Sequence, residues 1–202
     1  MLPRSVTSLG VSVLALLFER PMHPYEMWQV LRDRSKDRIV KVRPGSLYHA
    51  VERLERDELV AVTGVDRQGN RPERTVYEIT ASGRDAVRQW VADTVRVPAL
   101  EYPRFTLGLS ELHNLPSGEA LTLLDERIAA LAAQLADFEE LAALSRDVPE
   151  LFTVPFAYTR AMVRAESDWL RTFVERVRAG DVPWVTDPHL ASLEFTDLKG
   201  TR

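Results

Sequence analysis

The sequence predicts a mostly α-helical chain with one small β-hairpin: a winged helix-turn-helix domain followed by a helical dimerisation domain. Three observations predict it. Residues 43–60 carry Leu47, Ala50, Val51 and Leu54 at i, i+3, i+4 and i+7, a single apolar stripe at helical period. Two short runs rich in β-branched residues follow, 59–63 and 75–79, separated by a loop with breakers at both ends. Residues 117–179 then hold two long amphipathic helices joined by a Pro-bounded loop.

Composition sets the outer limits. A chain of 202 residues that is 45% hydrophobic can bury a core as one domain or two small ones. It has no cysteine, which rules out disulfides, thiol catalysis and Cys-ligated zinc and fits a reducing cytoplasm. The net charge of −4 hides an asymmetry: residues 1–84 hold 14 Lys+Arg against 11 Asp+Glu, and residues 85–202 hold 12 against 19. A positive first half beside an acidic second half suits a nucleic-acid-binding domain joined to one that should avoid nucleic acid.

Residues 5–19 form the first expected helix. Its apolar run after Arg4 has the look of a signal-peptide core, but a bilayer span needs about 20 apolar residues. Glu19-Arg20 follows at once with no small-residue cleavage site, so the reading is the most buried helix of the domain. Pro21-Met22-His23-Pro24 is a stiff turn. Residues 25–34 form the second helix, with Tyr25, Trp28 and Leu31 on its stripe and Met27 and Val30 beside them. Arg32, Arg34, Lys36, Arg38, Lys41 and Arg43 cluster just before the third helix, well placed for phosphate contacts.

In that third helix Pro44 suits the first helical position. Opposite the apolar stripe lie Ser46, His49, Arg53 and Arg56, with Tyr48 on the flank. A buried stripe behind hydroxyl, imidazole and guanidinium groups fits a helix in a DNA major groove. Lys41, Arg43 and Ser46 are the expected phosphate contacts, and Tyr48, His49 and Arg53 approach bases. The loop 64–72 carries Arg67 and Arg71, with Arg74 at its far edge, so the tip of the hairpin is basic. Thr80 or Ser82 caps the next helix. On it Val87, Trp90, Val91 and Val95 make one stripe, on which Trp90 either packs in a core or dimer seam or, as a flat aromatic, stacks on an aromatic ligand.

Gly45-Ser46-Leu47-Tyr48, Leu54-Glu55, Leu59-Val60 and Tyr77-Glu78-Ile79-Thr80-Ala81-Ser82-Gly83 resemble the PadR family of bacterial transcription regulators. So does His23-Pro24-Tyr25-Glu26, although Pro24 stands where the family usually has Gly. The Tyr-x-x-Thr-x-x-Gly element is shared with MarR-like winged helices; the Gly-Ser-Leu-Tyr segment is more specific. The likeness covers residues 5–95 and continues more loosely over a helical half of the larger, Vir-type kind. It implies a homodimer on a double-stranded operator, a repressor role, and a small aromatic effector, and it places Tyr25 among the DNA-binding residues.

Residues 100–115 read as a short helical connector. Residues 117–145 space Leu121, Leu124, Ile128, Leu131, Leu135 and Phe138 at a 3.5-residue period, the mark of a coiled-coil-like seam. The second long helix is expected over 156–179, between the breakers Val148-Pro149 and Val154-Pro155 and the stop at Gly180. With Met162, Leu170 and Phe173 it is the other half of an expected dimer interface. Glu166 falls within its stripe and either reaches an Arg or lies in water. The expected domains are 1–97, DNA-binding; 98–182, dimerisation and effector; and 183–202, a tail.

The four histidines are scattered, and no phosphate-cradling glycine motif is present. No catalytic residue, metal ligand, cofactor or membrane association is expected. The alternative is a winged-helix protein–protein adaptor that never touches DNA, against which the basic run and wing argue; a third reading is a ligand-binding helical module with a vestigial winged helix.

Overall fold

A computed structural model of the chain describes residues 6–66 and 74–185. It divides into two compact units, Met1–Leu100 and Glu101–Arg202. The first contains helices α1 (Ser8–Leu17), α2 (Pro24–Asp33) and α3 (Pro44–Arg56), strands β1 (Val60–Asp66) and β2 (Arg74–Ile79), and helix α4 (Ala81–Arg96). The second contains α5 (Arg104–Ser110), α6 (Ser117–Leu144) and α7 (Glu150–Ala179). This is the winged-helix architecture that the sequence predicts.

Helix α1 is the core's centre. Thr7 caps it, its Oγ1 accepting the Gly10 N–H at 3.1 Å, and Val13, Leu14, Leu16 and Leu17 are all buried. Around them pack Met27 and Leu31 of α2, Leu47, Val51 and Leu54 of α3, and Val60, Tyr77 and Ile79 of the hairpin. The buried stripe of α2 is Pro24, Met27 and Leu31, so the expected stripe of Tyr25, Trp28 and Leu31 is corrected: Tyr25 is exposed, while Trp28 is half-buried and packs against the edge of the core. Pro24 itself joins α2 as its first residue, because His23 Nδ1 accepts the Glu26 N–H at 3.1 Å and supplies the cap.

The hairpin is longer than expected. Gly64, Val65 and Asp66 continue β1, with a register shift between Val62 and Gly64 that leaves Thr63 as a bulge. Met22 adds a third, single-residue rung: its N–H donates to the Tyr77 carbonyl and Tyr77's N–H donates back, both at 3.0 Å.

The start of β1 and the start of α4 meet at one joint. Helix α3 ends with Glu58 left-handed at φ 58°, and the Leu59 N–H reaches back to the Leu54 carbonyl at 2.8 Å. The Leu59 carbonyl accepts the Thr80 N–H at 3.1 Å. Thr80 Oγ1 donates to the Glu58 carbonyl at 2.9 Å and accepts the Gly83 N–H at 3.0 Å, making Thr80, not Ser82, the cap of α4. Gly83 lies inside α4, pressed so closely on the hairpin that a Cβ would stand 2.2 Å from the Leu59 carbonyl oxygen.

In the second unit α6 and α7 run antiparallel, with the Asp125–Arg178 and Glu139–Arg164 pairs toward opposite ends of the contact. Leu124, Leu131, Leu170 and Val174 are buried between them, with Phe105, Leu109 and Leu112 packed against that cluster. Helix α7 begins six residues earlier than expected. Pro149 precedes it, and Pro155 sits within it, where its missing N–H forgoes a bond to the exposed Leu151 near the helix end. Gly180 ends α7 at φ 81°.

Gly83→Ala is expected to destabilise the first unit by about 1–3 kcal/mol or more, since the backbone it would strike cannot rotate away. Urea unfolding compared with Ala86→Gly, on the same helix but free of that contact, checks it.

Candidate nucleic-acid interface

Helix α3 presents two unlike faces because its apolar residues repeat at helical period. Leu47, Val51 and Leu54 are buried, while Ser46, Tyr48, His49 and Arg56 are exposed. The N-terminal end is also open. Arg43 occupies the cap position without a side-chain hydrogen bond, and nothing lies within 4 Å of where a Gly45 Cβ would be. The first-turn N–H groups therefore face outward unspent, at the positive end of the helix dipole, where a phosphate is favoured. Sequence reasoning missed this; the signal was Arg43 standing where a capping Ser, Thr, Asp or Asn is usual.

Lys41 and Arg43, just before α3, are exposed. Arg53 is half-buried on the flank shared with Ser46, its Nε 3.7 Å from Asp57 Oδ2. His49 Nδ1 lies 3.3 Å from Glu52 Oε2, so the outward face is not purely cationic. Glu55, also exposed, has a structural partner. Burial first, then the charge and hydrogen bond of Glu55, push the Tyr77 phenol above its ordinary value, tying α3 to β2.

The structure brings two other expected residues together. Arg74 lies with its guanidinium 5.4 Å from the Tyr25 ring centroid and its Nη1 3.3 Å from His23 Nε2. The Tyr25 ring in turn faces Trp28 at 5.7 Å. The foot of the wing is thereby fastened to the start of α2. Arg67 and Arg71 lie outside the described residues. The basic run before α3 is only partly available: Arg34 forms a two-pronged pair with Glu19, its Nη2 2.8 Å from Oε2, and Arg32 stacks on Trp28 at 5.0 Å.

Trp90 is half-buried on α4, followed by exposed Val91 and Val95. The residues expected at a dimer interface are placed differently. Leu124, Leu131 and Leu170 are buried inside the chain's own α6/α7 pair, with Leu121, Ile128 and Phe173 packed against them; Phe138 is buried near the end of α6, Leu135 is half-buried, and Met162 is exposed. Glu166 reaches Arg127, whose Nε donates to Oε1 at 2.7 Å while its guanidinium lies 3.5 Å from the Phe105 ring centroid. Trp184 donates its indole N–H to the Leu115 carbonyl at 2.9 Å; the rest of the tail from residue 186 lies outside the described residues. Among the described residues no group of His, Asp and Glu could hold a metal ion, and no helix is long and apolar enough to cross a membrane.

Residues 13–89 match the model of the transcriptional regulator PadR-like family. Three solved structures share the fold. Bacillus subtilis PadR in complex with operator DNA is 16% identical, with a TM-score of 0.71 over 85% of this chain and 99% of that one. The same regulator in complex with p-coumaric acid is 14% identical, with a TM-score of 0.66 over 84% and 94%. The Vibrio cholerae virulence activator AphA is 17% identical, with a TM-score of 0.66 over 85% and 99%. No curated protein sequence matches.

The Glu19–Arg34 pair gives a pH dependence with a definite sign. The Arg34 hydrogen bond holds the Glu19 carboxyl below its ordinary value of 4.5. Its contribution is therefore complete above that value and lost as pH falls through the lowered one. Both side chains are about half exposed, so the contribution is under about 1 kcal/mol. Arg34→Met is expected to lower stability at pH 7 by that amount, the loss shrinking as pH falls below the ordinary carboxyl value, read by urea unfolding across that range.

Proposed function

We propose that this chain, whose residues 13–89 match the PadR-like family model, is a ligand-responsive repressor that binds a pseudo-palindromic operator as a homodimer and takes a small aromatic effector. The observation that carries the DNA-binding part is α3: anchored through Leu47, Val51 and Leu54, open at its N-terminus, and bearing Ser46, Tyr48, His49 and Arg56 outward. Such a helix offers N–H groups and cations to phosphate and side chains to base edges. Its fold likeness to a PadR bound to operator DNA supports the same reading. The division of labour we propose is residues 1–97 for DNA, 98–182 for dimerisation and effector, and 183–202 as a tail. Lys41, Arg43 and Ser46 hold phosphates, Tyr48, His49 and Arg53 approach bases, and Tyr25, Arg67, Arg71 and Arg74 serve at the wing and its foot. Trp90 is the proposed effector contact, in keeping with the aromatic acid on the similar regulator.

For the homodimer a different surface of α7 carries more weight than the α6 seam. Leu151, Tyr158, Met162 and Trp169, at i, i+7, i+11 and i+18, form an outward stripe on α7 and are 79%, 67%, 54% and 52% exposed. Four large apolar residues at heptad-like spacing are suited to a matching helix, and a second copy supplies one. Two copies would then read half-sites about 34–36 Å apart.

Fluorescence anisotropy on DNA from upstream of the chain's own gene, against scrambled DNA, tests the reading. Binding to the upstream DNA should survive competitor and weaken steeply between about 50 and 200 mM salt. No binding even at low salt would favour the adaptor. Arg53→Ala should cost about 1–3 kcal/mol on the operator and less on scrambled DNA; equal losses would make Arg53 a phosphate contact. Met162→Glu should shift the protein to monomer in analytical ultracentrifugation while keeping its helical circular dichroism.

A further inference from the structure

The outward face of α3 carries an acid that phosphate binding does not explain. Gly45, His49, Glu52 and Arg56 follow one another at i, i+4, i+7 and i+11, the stripe that 3.6 residues per turn sets opposite the buried Leu47, Val51 and Leu54. Glu52 therefore stands near the centre of the face, between His49 and Arg56. Its side chain is 66% exposed and that of His49 82%, so both project away from the protein. The neighbouring acids are held within the fold: Glu55 bonds the Tyr77 phenol, and Asp57 Oδ2 lies 3.7 Å from Arg53 Nε. Glu52 acts on Tyr77 only through space, behind burial and both contributions of Glu55. Its own contact is the His49 ring, 3.3 Å from Nδ1 to Oε2.

On DNA an exposed carboxylate is repelled by the phosphates around it, whatever the sequence. It becomes favourable only where the groove offers a donor. In the major groove guanine presents two acceptors, and thymine an acceptor and a methyl group. Adenine sets an acceptor beside its amino group, and cytosine presents the N4 amino group alone. A face with cations for phosphate gains no general affinity from an acid at its centre. It gains discrimination, because the acid is left unpaired on every wrong base.

We infer that Glu52 is a specificity-determining residue of α3, its carboxylate accepting a hydrogen bond from a cytosine N4 amino group in each half-site. On DNA without that cytosine the phosphate repulsion has nothing to offset it, and the complex is disfavoured. The inference rests on the proposed binding of operator DNA. It adds to the cationic set of Lys41, Arg43, Arg53 and Arg56 a residue of opposite charge and the base that it reads.

The test selects binding sites from random duplex DNA with the full-length protein, then measures anisotropy on the selected site and on scrambled DNA at about 50 mM salt. The wild type should select a site with a cytosine at one position of each half-site. Glu52→Ala should keep the rest of that site and accept any base at that position. Glu52→Gln, whose amide pairs with adenine N6 and N7, should shift the position toward adenine. Both variants, with unchanged circular dichroism, should bind scrambled DNA more tightly than wild type and lose about tenfold in preference for the selected site. His49→Ala should lower affinity and keep the cytosine. If the wild type selects no site, the DNA-binding reading falls and this inference with it. If the wild type selects a site and Glu52→Ala selects the same one, or changes affinity equally on both DNAs, this inference alone is overturned. Loss of the cytosine in His49→Ala as well would make Glu52 a support for His49 and overturn it too.

Discussion

The first unit depends on the contact of Gly83 and Thr80 with the Glu58-Leu59 peptides. A hairpin on its own is marginal in water and free to swing about its ends. Here both ends are held at one point. The chain leaves α3 through the left-handed Glu58, and the next two carbonyls, of Glu58 and Leu59, accept from the Thr80 hydroxyl and N–H. The same hydroxyl accepts from Gly83, so one side chain ends the hairpin, caps α4 and seals the turn after α3. Only glycine lets α4 come this close. Tyr77 completes the joint, bridging Met22 through its backbone and Glu55 through its phenol. The residues of the Tyr-x-x-Thr-x-x-Gly element are thus one mechanical device: they fix the direction in which the wing leaves α3.

Fixing that direction matters because α3 is assembled for exposure. A helix that ended with a capping side chain and a fully paired surface would be more stable alone, but it would have fewer groups left for a ligand. The core compensates by burying three residues of the helix against α1 and the hairpin, each worth about 1.5–3 kcal/mol. Two of the charges near the face are accounted for within the protein, Arg34 by Glu19 and Arg53 by Asp57, and the His49 ring lies against Glu52. The paired cations steady the helices, and the exposed Lys41, Arg43 and Arg56 carry the outward positive charge.

The first unit was legible in the sequence because each of its elements announces itself locally. Leu47, Val51 and Leu54 have helical spacing, Thr80 and Gly83 sit three apart, and the strands are β-branched. What was not legible depends on partners distant in the chain. Nothing near Tyr25 and Trp28 distinguishes the stripe they make with Leu31 from the one that Pro24 and Met27 make with it; the choice is made by the core that α1, α3 and the hairpin build. Gly64 reads as a turn residue, and the Thr63 bulge absorbs it into β1. Pro155 reads as a break, yet it falls near enough to the exposed start of α7 for the helix to continue through it. Arg127 could be named as a partner of Glu166 only once α6 and α7 were laid antiparallel.

The seam on α6 makes the same point about amphipathic helices. A 3.5-residue period states that a helix has an apolar face and leaves open which helix covers it. Here α7 of the same chain covers it, through Val163, Leu170 and Val174. Because α7 carries a second apolar stripe at its own heptad-like spacing, covering one face still leaves the other in water. Leu151, Tyr158, Met162 and Trp169 of two copies, at about 1.5–3 kcal/mol each when fully buried, come to the same order as the roughly 4–15 kcal/mol that association costs in lost freedom. The stripe alone therefore favours a second copy only modestly. The exposed Phe152 and Val154 add to it at the same end of α7, next to the turn that joins it to α6.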